Sequence, residues 1–67
     1  MIDNTKIAAY LWVDKLYEEK GIDEARAIMT YNVTKNRHFN ESAHWVTMAW
    51  HRIHQIESEI YSKILHQ

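Results

Sequence analysis

Along the chain, apolar residues recur three and four positions apart, which aligns them on one face of an α-helix. The clearest stripe is Val46, Ala49, Trp50, Ile53, Ile56, Ile60 and Ile64, with Thr47, His51, Gln55, Ser58 and Ser62 on the opposite side. It predicts a helix over 41–65, capped by Asn40, with Glu41 in the first turn to complement the helix dipole. Ile22, Ala25, Met29 and Val33 predict a second helix over 24–34, with Asp23 as its N-cap. A first helix is predicted over 5–20. Asp3 is its N-cap, Ile2 and Ile7 flank that cap as a hydrophobic staple, and Lys20 suits the negative end. Gly21 ends it, because glycine takes the left-handed conformation that closes a last turn, with Ile22 packing back. Residues 35–39 read as a polar connection.

Two features of this pattern bear on assembly. A helix of roughly 25 residues is about 37 Å long. A compact chain of 67 residues has a radius of gyration of only about 11 Å. The end of the third helix is therefore expected to overhang a monomer or to be covered by a second copy. In the first helix, Ile7, Ala8, Tyr10, Leu11, Trp12, Val13, Leu16 and Tyr17 go nearly all the way round. A helix apolar on every side is usually buried on every side, and two other helices cannot cover it fully. A self-association surface or a partner surface is expected there.

Composition narrows the picture. The chain has no Pro, one Gly and no Cys. Many-stranded folds need turn residues, so the fold class is all-α, a small single domain of three helices. Disulfides, thiolate zinc sites and cysteine nucleophiles are excluded. A core this small rarely supplies more than about 3–5 kcal/mol, which favours a homodimer. No apolar run approaches the roughly 18 residues of a membrane helix. The N-terminus lacks a signal-peptide pattern, so a cytoplasmic location without membrane contact is expected.

The net charge is −1, which argues against a chain built to coat nucleic acid. Its distribution is uneven. Residues 1–24 carry three lysines against six acids, whereas residues 25–54 carry Arg26, Lys35, Arg37 and Arg52 against Glu41. Such asymmetry can orient an acidic partner, or the chain's own acidic first helix in a dimer.

Candidate chemistry is sparse. His51 and His54 lie one turn apart, a weak candidate metal pair, but a zinc site needs three or four ligands. No metal and no cofactor is expected. Nothing marks a nucleophile or a phosphate loop, and Glu57 and Glu59 point about 200° apart on a helix, so the chain is not expected to be an enzyme. Aromatic residues make up 12%. Trp45, Met48 and Arg52 share one edge of the third helix and have the composition of a binding hot spot, unless helix two covers Trp45. With Tyr10, Trp12 and Tyr17 they form the expected partner-binding set. The alternative is nucleic-acid association through Lys35, Arg37, His38 and Arg52, although the connection is too long for a standard helix-turn-helix and lacks Gly.

The run from Asn40-Glu41-Ser42-Ala43 through His51-Arg52 to Tyr61-Ser62-Lys63-Ile64 resembles the long helix of the Hha/YmoA family of small enterobacterial regulators, which bind nucleoid-structuring proteins. The likeness spans scattered residues and needs shifts in two places, so no functional residue is carried across. It implies only a small helical regulator that works by binding protein. The expected function is thus a non-catalytic regulator or inhibitor that docks on a larger protein. Chains of this size and kind are common in bacterial and phage genomes.

Overall fold

The computed structural model describes residues 2–34 and 43–65. It is all-α, with helices α1 (Asn4–Lys20), α2 (Ile22–Thr34) and α3 (Ala43–Leu65), and no strand among the described residues. The expected Asn40 cap, Glu41 and the 35–39 connection lie outside the described residues.

Asp3 caps α1 as expected. Its backbone is extended, its Oδ1 accepts from the Lys6 amide at 3.0 Å, and its carbonyl accepts from the Ile7 amide at 3.1 Å. Both residues expected to staple that cap, Ile2 and Ile7, are exposed. At Gly21 the backbone has φ +87° and ψ 167°. The positive φ is as expected, but the ψ is extended rather than left-handed helical. The Gly21 amide donates to the Tyr17 carbonyl at 3.0 Å, and its own carbonyl accepts from the Ala25 amide at 3.0 Å. One residue therefore closes α1 and opens α2. This corrects the expected start of α2. The helix begins at Ile22, and Asp23 is not its cap but lies inside the first turn with Glu24, where both carboxylates oppose the dipole.

The three helices share one core. Ala9 and Val13 of α1, Met29 of α2, and Trp45, Ala49, Ile53 and Ile56 of α3 form its buried cluster. Ala25 of α2 is also fully buried. One alanine in α1, one in α2 and one in α3 are thus fully buried, and small side chains let helices approach closely. Trp12, Ile22, Val46, Met48, Trp50 and Ile60 are half-buried against this cluster. Two long-range pairs fix the sense of packing. Asp3 meets His44 and Asp14 meets Arg52, so α1 and α3 run in the same direction. Arg26 of α2 meets Glu57, which sets the start of α2 beside the second half of α3.

The stripe of α3 is buried only where α1 and α2 cover it. Exposure rises from 3% at Ile56 to 62% at Ile64, through a half-buried Ile60. The overhang expected from helix length is therefore present. The Cα radius of gyration is 12.7 Å, above the roughly 11 Å of a compact chain of this length. Val33, expected on the inner face of α2, is exposed at the far end of that helix.

Gly21 gives a direct test of the α1–α2 corner. A Cβ there would meet nothing within 4 Å, so the only cost of a side chain is backbone strain. A positive φ with extended ψ is a region held almost only by glycine, and other residues pay about 1–3 kcal/mol there. Gly21→Ala is expected to lower the unfolding free energy by about that amount in urea titration, with the helical circular dichroism retained.

Candidate functional site

The expected binding edge of α3 is not what the fold presents. Trp45 is only 7% exposed and belongs to the core. Its ring meets that of half-buried Trp12 edge to face, with centroids 5.2 Å apart and planes at 66°. The geometry suits the quadrupoles of two aromatic rings. The expectation that Trp45 stands exposed beside Met48 and Arg52 is corrected. The reason is the cover that α1 supplies through Trp12, where sequence spacing had suggested α2. Met48 is half-buried against the same core.

Arg52 is held by the chain itself. Its Nε donates to Asp14 Oδ1 at 2.7 Å, and one terminal nitrogen donates to Gln55 Oε1 at 3.3 Å. Its guanidinium lies 5.7 Å from the centroid of the Tyr10 ring. The Asp14 hydrogen bond raises the Arg52 pKa further above its ordinary value. Tyr10 is half-buried, with the Lys6 ammonium 5.4 Å from its ring centroid. Its hydroxyl accepts from Gln55 Nε2 at 3.3 Å. Thus Arg52 and Tyr10, expected to face a partner, form a polar seam between α1 and α3. Tyr17 is the member of the expected set that remains exposed.

Sequence reasoning missed this seam, and it missed the link between Asp3 and His44. His44 Nε2 donates to Asp3 Oδ2 at 2.9 Å, while Asp3 Oδ1 caps α1. The one carboxylate joins the N-terminal ends of α1 and α3. The signal was present in the charge distribution. Asp3–His44 and Asp14–Arg52 both join the acidic 1–24 segment to the basic 25–54 segment, and Arg26–Glu57 joins the latter to the acidic 55–67 segment. The asymmetry expected to orient an acidic partner, or the acidic first helix of a second copy, is matched by pairs within the chain.

Of the nucleic-acid set, Lys35, Arg37 and His38 lie outside the described residues, and Arg52 is paired as above. His51 and His54 are both exposed. His54 stacks on Trp50 with centroids 6.1 Å apart, and its Nδ1 lies 3.5 Å from Glu57 Oε1. Among the described residues, no group of three or more His, Cys, Asp or Glu side chains converges on a point where a metal could sit. Nor is any helix there long and apolar enough to cross a membrane.

What the fold does present is the outward face of α1. Ile7 is 48% exposed and Leu11, one turn on, is 63% exposed. They lie opposite Ala9 and Val13 on the helix, so α1 is apolar both toward the core and away from it. Exposed Ala8 lies on the same side of the helix and adds little bulk. Comparison with known proteins adds no relative: no family model, no curated protein and no solved structure matches the chain. None of these comparisons supports the resemblance of the 40–64 run to the Hha/YmoA regulators, and no residue is transferred from it.

Two predictions follow from these contacts. Trp45→Ala removes a core ring, a change that typically costs about 3–5 kcal/mol. It is expected to unfold the chain, read as loss of helical circular dichroism at 25 °C, instead of removing one binding contact from a folded protein. The second concerns acid. The His44 hydrogen bond first, and the Lys6 amide second, hold the Asp3 carboxyl below its ordinary value of 3.8. A carboxyl lowered on folding stabilises the fold above its unfolded pKa and ceases to do so as pH falls through the folded one. Asp3→Asn is therefore expected to be less stable than wild type above about pH 5, with the gap closing below about pH 4. Urea midpoints measured across that range check it. A gap unchanged at the acid end would remove the ionised carboxylate from the account.

Proposed function

We propose that the chain is a non-catalytic helical regulator or inhibitor that docks on a larger protein, with the outward face of α1 as its docking surface. The observation that carries this reading is the pair Ile7 and Leu11, one turn apart and directed away from the core. The core already takes Ala9 and Val13 from the same helix, with Trp12 packed against it, so folding does not need Ile7 or Leu11 buried. Single exposed apolar residues are ordinary, but two in register on one helix form the kind of anchor that a partner groove reads at i and i+4. The surroundings suit such a contact. Lys15 and Glu18 lie exposed further along α1 and would form a polar rim. Tyr17, although exposed, sits on another side of the helix and is outside this anchor.

The support for a non-catalytic role is similar in kind. The described surface carries a shallow groove of about 130 Å³ lined by Ile22, Asp23, Glu57, Ile60 and Tyr61. That is small beside the roughly 300–1,000 Å³ of typical ligand pockets, so it offers little room to enclose a substrate with its reacting groups.

The test compares three captures from lysate of the source cells: wild type, wild type with nuclease, and Leu11→Glu. Leu11 is largely exposed, so this substitution keeps the fold, which circular dichroism verifies. The expected result is a protein retained by wild type with and without nuclease and lost with Leu11→Glu. A protein retained equally by both chains would remove the α1 face from the proposal. Loss of all captured material on nuclease treatment would instead favour the nucleic-acid alternative.

A further inference from the structure

The apolar stripe of α3 continues past the body of the protein. Ile56, Ile60 and Ile64 follow each other at i+4 spacing, and only the last is mostly exposed. Tyr61 and Leu65 are exposed on the same projecting turns. Beside them lies the groove of about 130 Å³, floored by Ile22 and Ile60 and rimmed by Asp23, Glu57 and Tyr61. Apolar cavities of about 150 Å³ accept a group as large as benzene, so one aliphatic side chain suits it. The groove and the projecting end also differ in charge. Asp23 has no ion-pair partner among the described residues, and Glu57 adds a second carboxylate, shared with Arg26. The basic residue of the last turn of α3 is Lys63, next to Ile64, and it too has no ion-pair partner among the described residues.

We propose that the groove receives the projecting end of α3 from a second copy of this chain. Ile64 of one copy fills the groove of the other, and Lys63 reaches the Asp23 side of its rim. Because each copy carries both a groove and a projecting end, a two-fold arrangement fills both at once, as an isologous dimer requires. The stripe that fades along α3 then continues as a buried surface. The complementarity argues for a second copy over an unrelated helix, since the acidic rim is matched by Lys63, the one lysine or arginine at the apolar tip among the described residues. The contact uses two turns of helix and one groove of a 5278 Å² surface, so it is small. This surface is separate from the α1 face, and Leu11→Glu leaves it intact.

Sedimentation equilibrium on the full chain tests the assignment. The mass is expected to rise from 8.1 kDa toward twice that value between about 1 μM and about 1 mM. Ile64→Glu is expected to weaken association at least tenfold while keeping its helical circular dichroism, because Ile64 is exposed in the monomer. Lys63→Glu is expected to weaken it as well, and Lys63→Glu combined with Asp23→Lys to recover most of the loss. A chain that stays at 8.1 kDa throughout overturns the proposal. So does a dimer as tight with Ile64→Glu as with wild type, or a Lys63→Glu defect that Asp23→Lys does not relieve.

Discussion

The seam between α1 and α3 is the contact on which the rest of the fold depends. Among the described residues, Met29, Ile53 and Val13 are the only larger side chains fully buried, so the core they form is thin. The edge-to-face meeting of Trp12 with Trp45 adds aromatic area to it, and a fully buried ring of this size removes on the order of 150–250 Å² from water. At about 25 cal/mol per Å² that is several kcal/mol per ring, comparable with the whole net stability of a chain this small. The polar contacts then flank the ring pair. Asp14–Arg52 lies further along α1 and α3, and Asp3–His44 lies at their starts. Partly exposed ion pairs contribute only about 0–1 kcal/mol each. Their larger effect is to fix which way the two helices run and in what register.

All three tryptophans lie in or against the core, which bears on what is left for binding. In a large protein, three tryptophans would leave some for binding, because the core has other material. Here the core holds three alanines, and the aromatic rings supply the volume that the alanines lack. The surfaces proposed for binding then consist of aliphatic residues that the core does not need, Ile7 and Leu11 on α1 and Ile64 on α3. Both sets arise from the same cause. A three-helix body has too little interior to take every apolar side chain on helices this long.

Much of the fold was legible in the sequence because helical periodicity is a local signal. The three helices, the Asp3 cap and the role of Gly21 all follow from residues within a few positions of one another. The misread start of α2 is instructive. Asp23 has the right side chain for a cap, but the Gly21 carbonyl already accepts from the Ala25 amide, so the helix was open two residues earlier. The site was less legible because it depends on contacts between residues 31 to 45 positions apart. Nothing near Trp45 in sequence says that Trp12 will cover it. Nothing near Arg52 says that Asp14 will pair with it. The uneven charge was the one long-range signal available, and it spoke of complementarity without saying that both halves lie in one chain.

The overhang of α3 follows from the same arithmetic of length. At 1.5 Å per residue, its 23 residues extend about 34 Å, whereas the 17 of α1 extend about 25 Å. α3 is therefore longer than α1 by about 9 Å, or nearly two turns, and the last turns of α3 lie beyond the buried part of its stripe. Those turns hold Tyr61, Ile64 and Leu65, all exposed. A solvated helix end can be polar on every side at no cost to a monomer. Apolar residues in the register of the buried stripe leave that end open to a second copy, and the acid-rimmed groove beside them is the surface proposed to receive it.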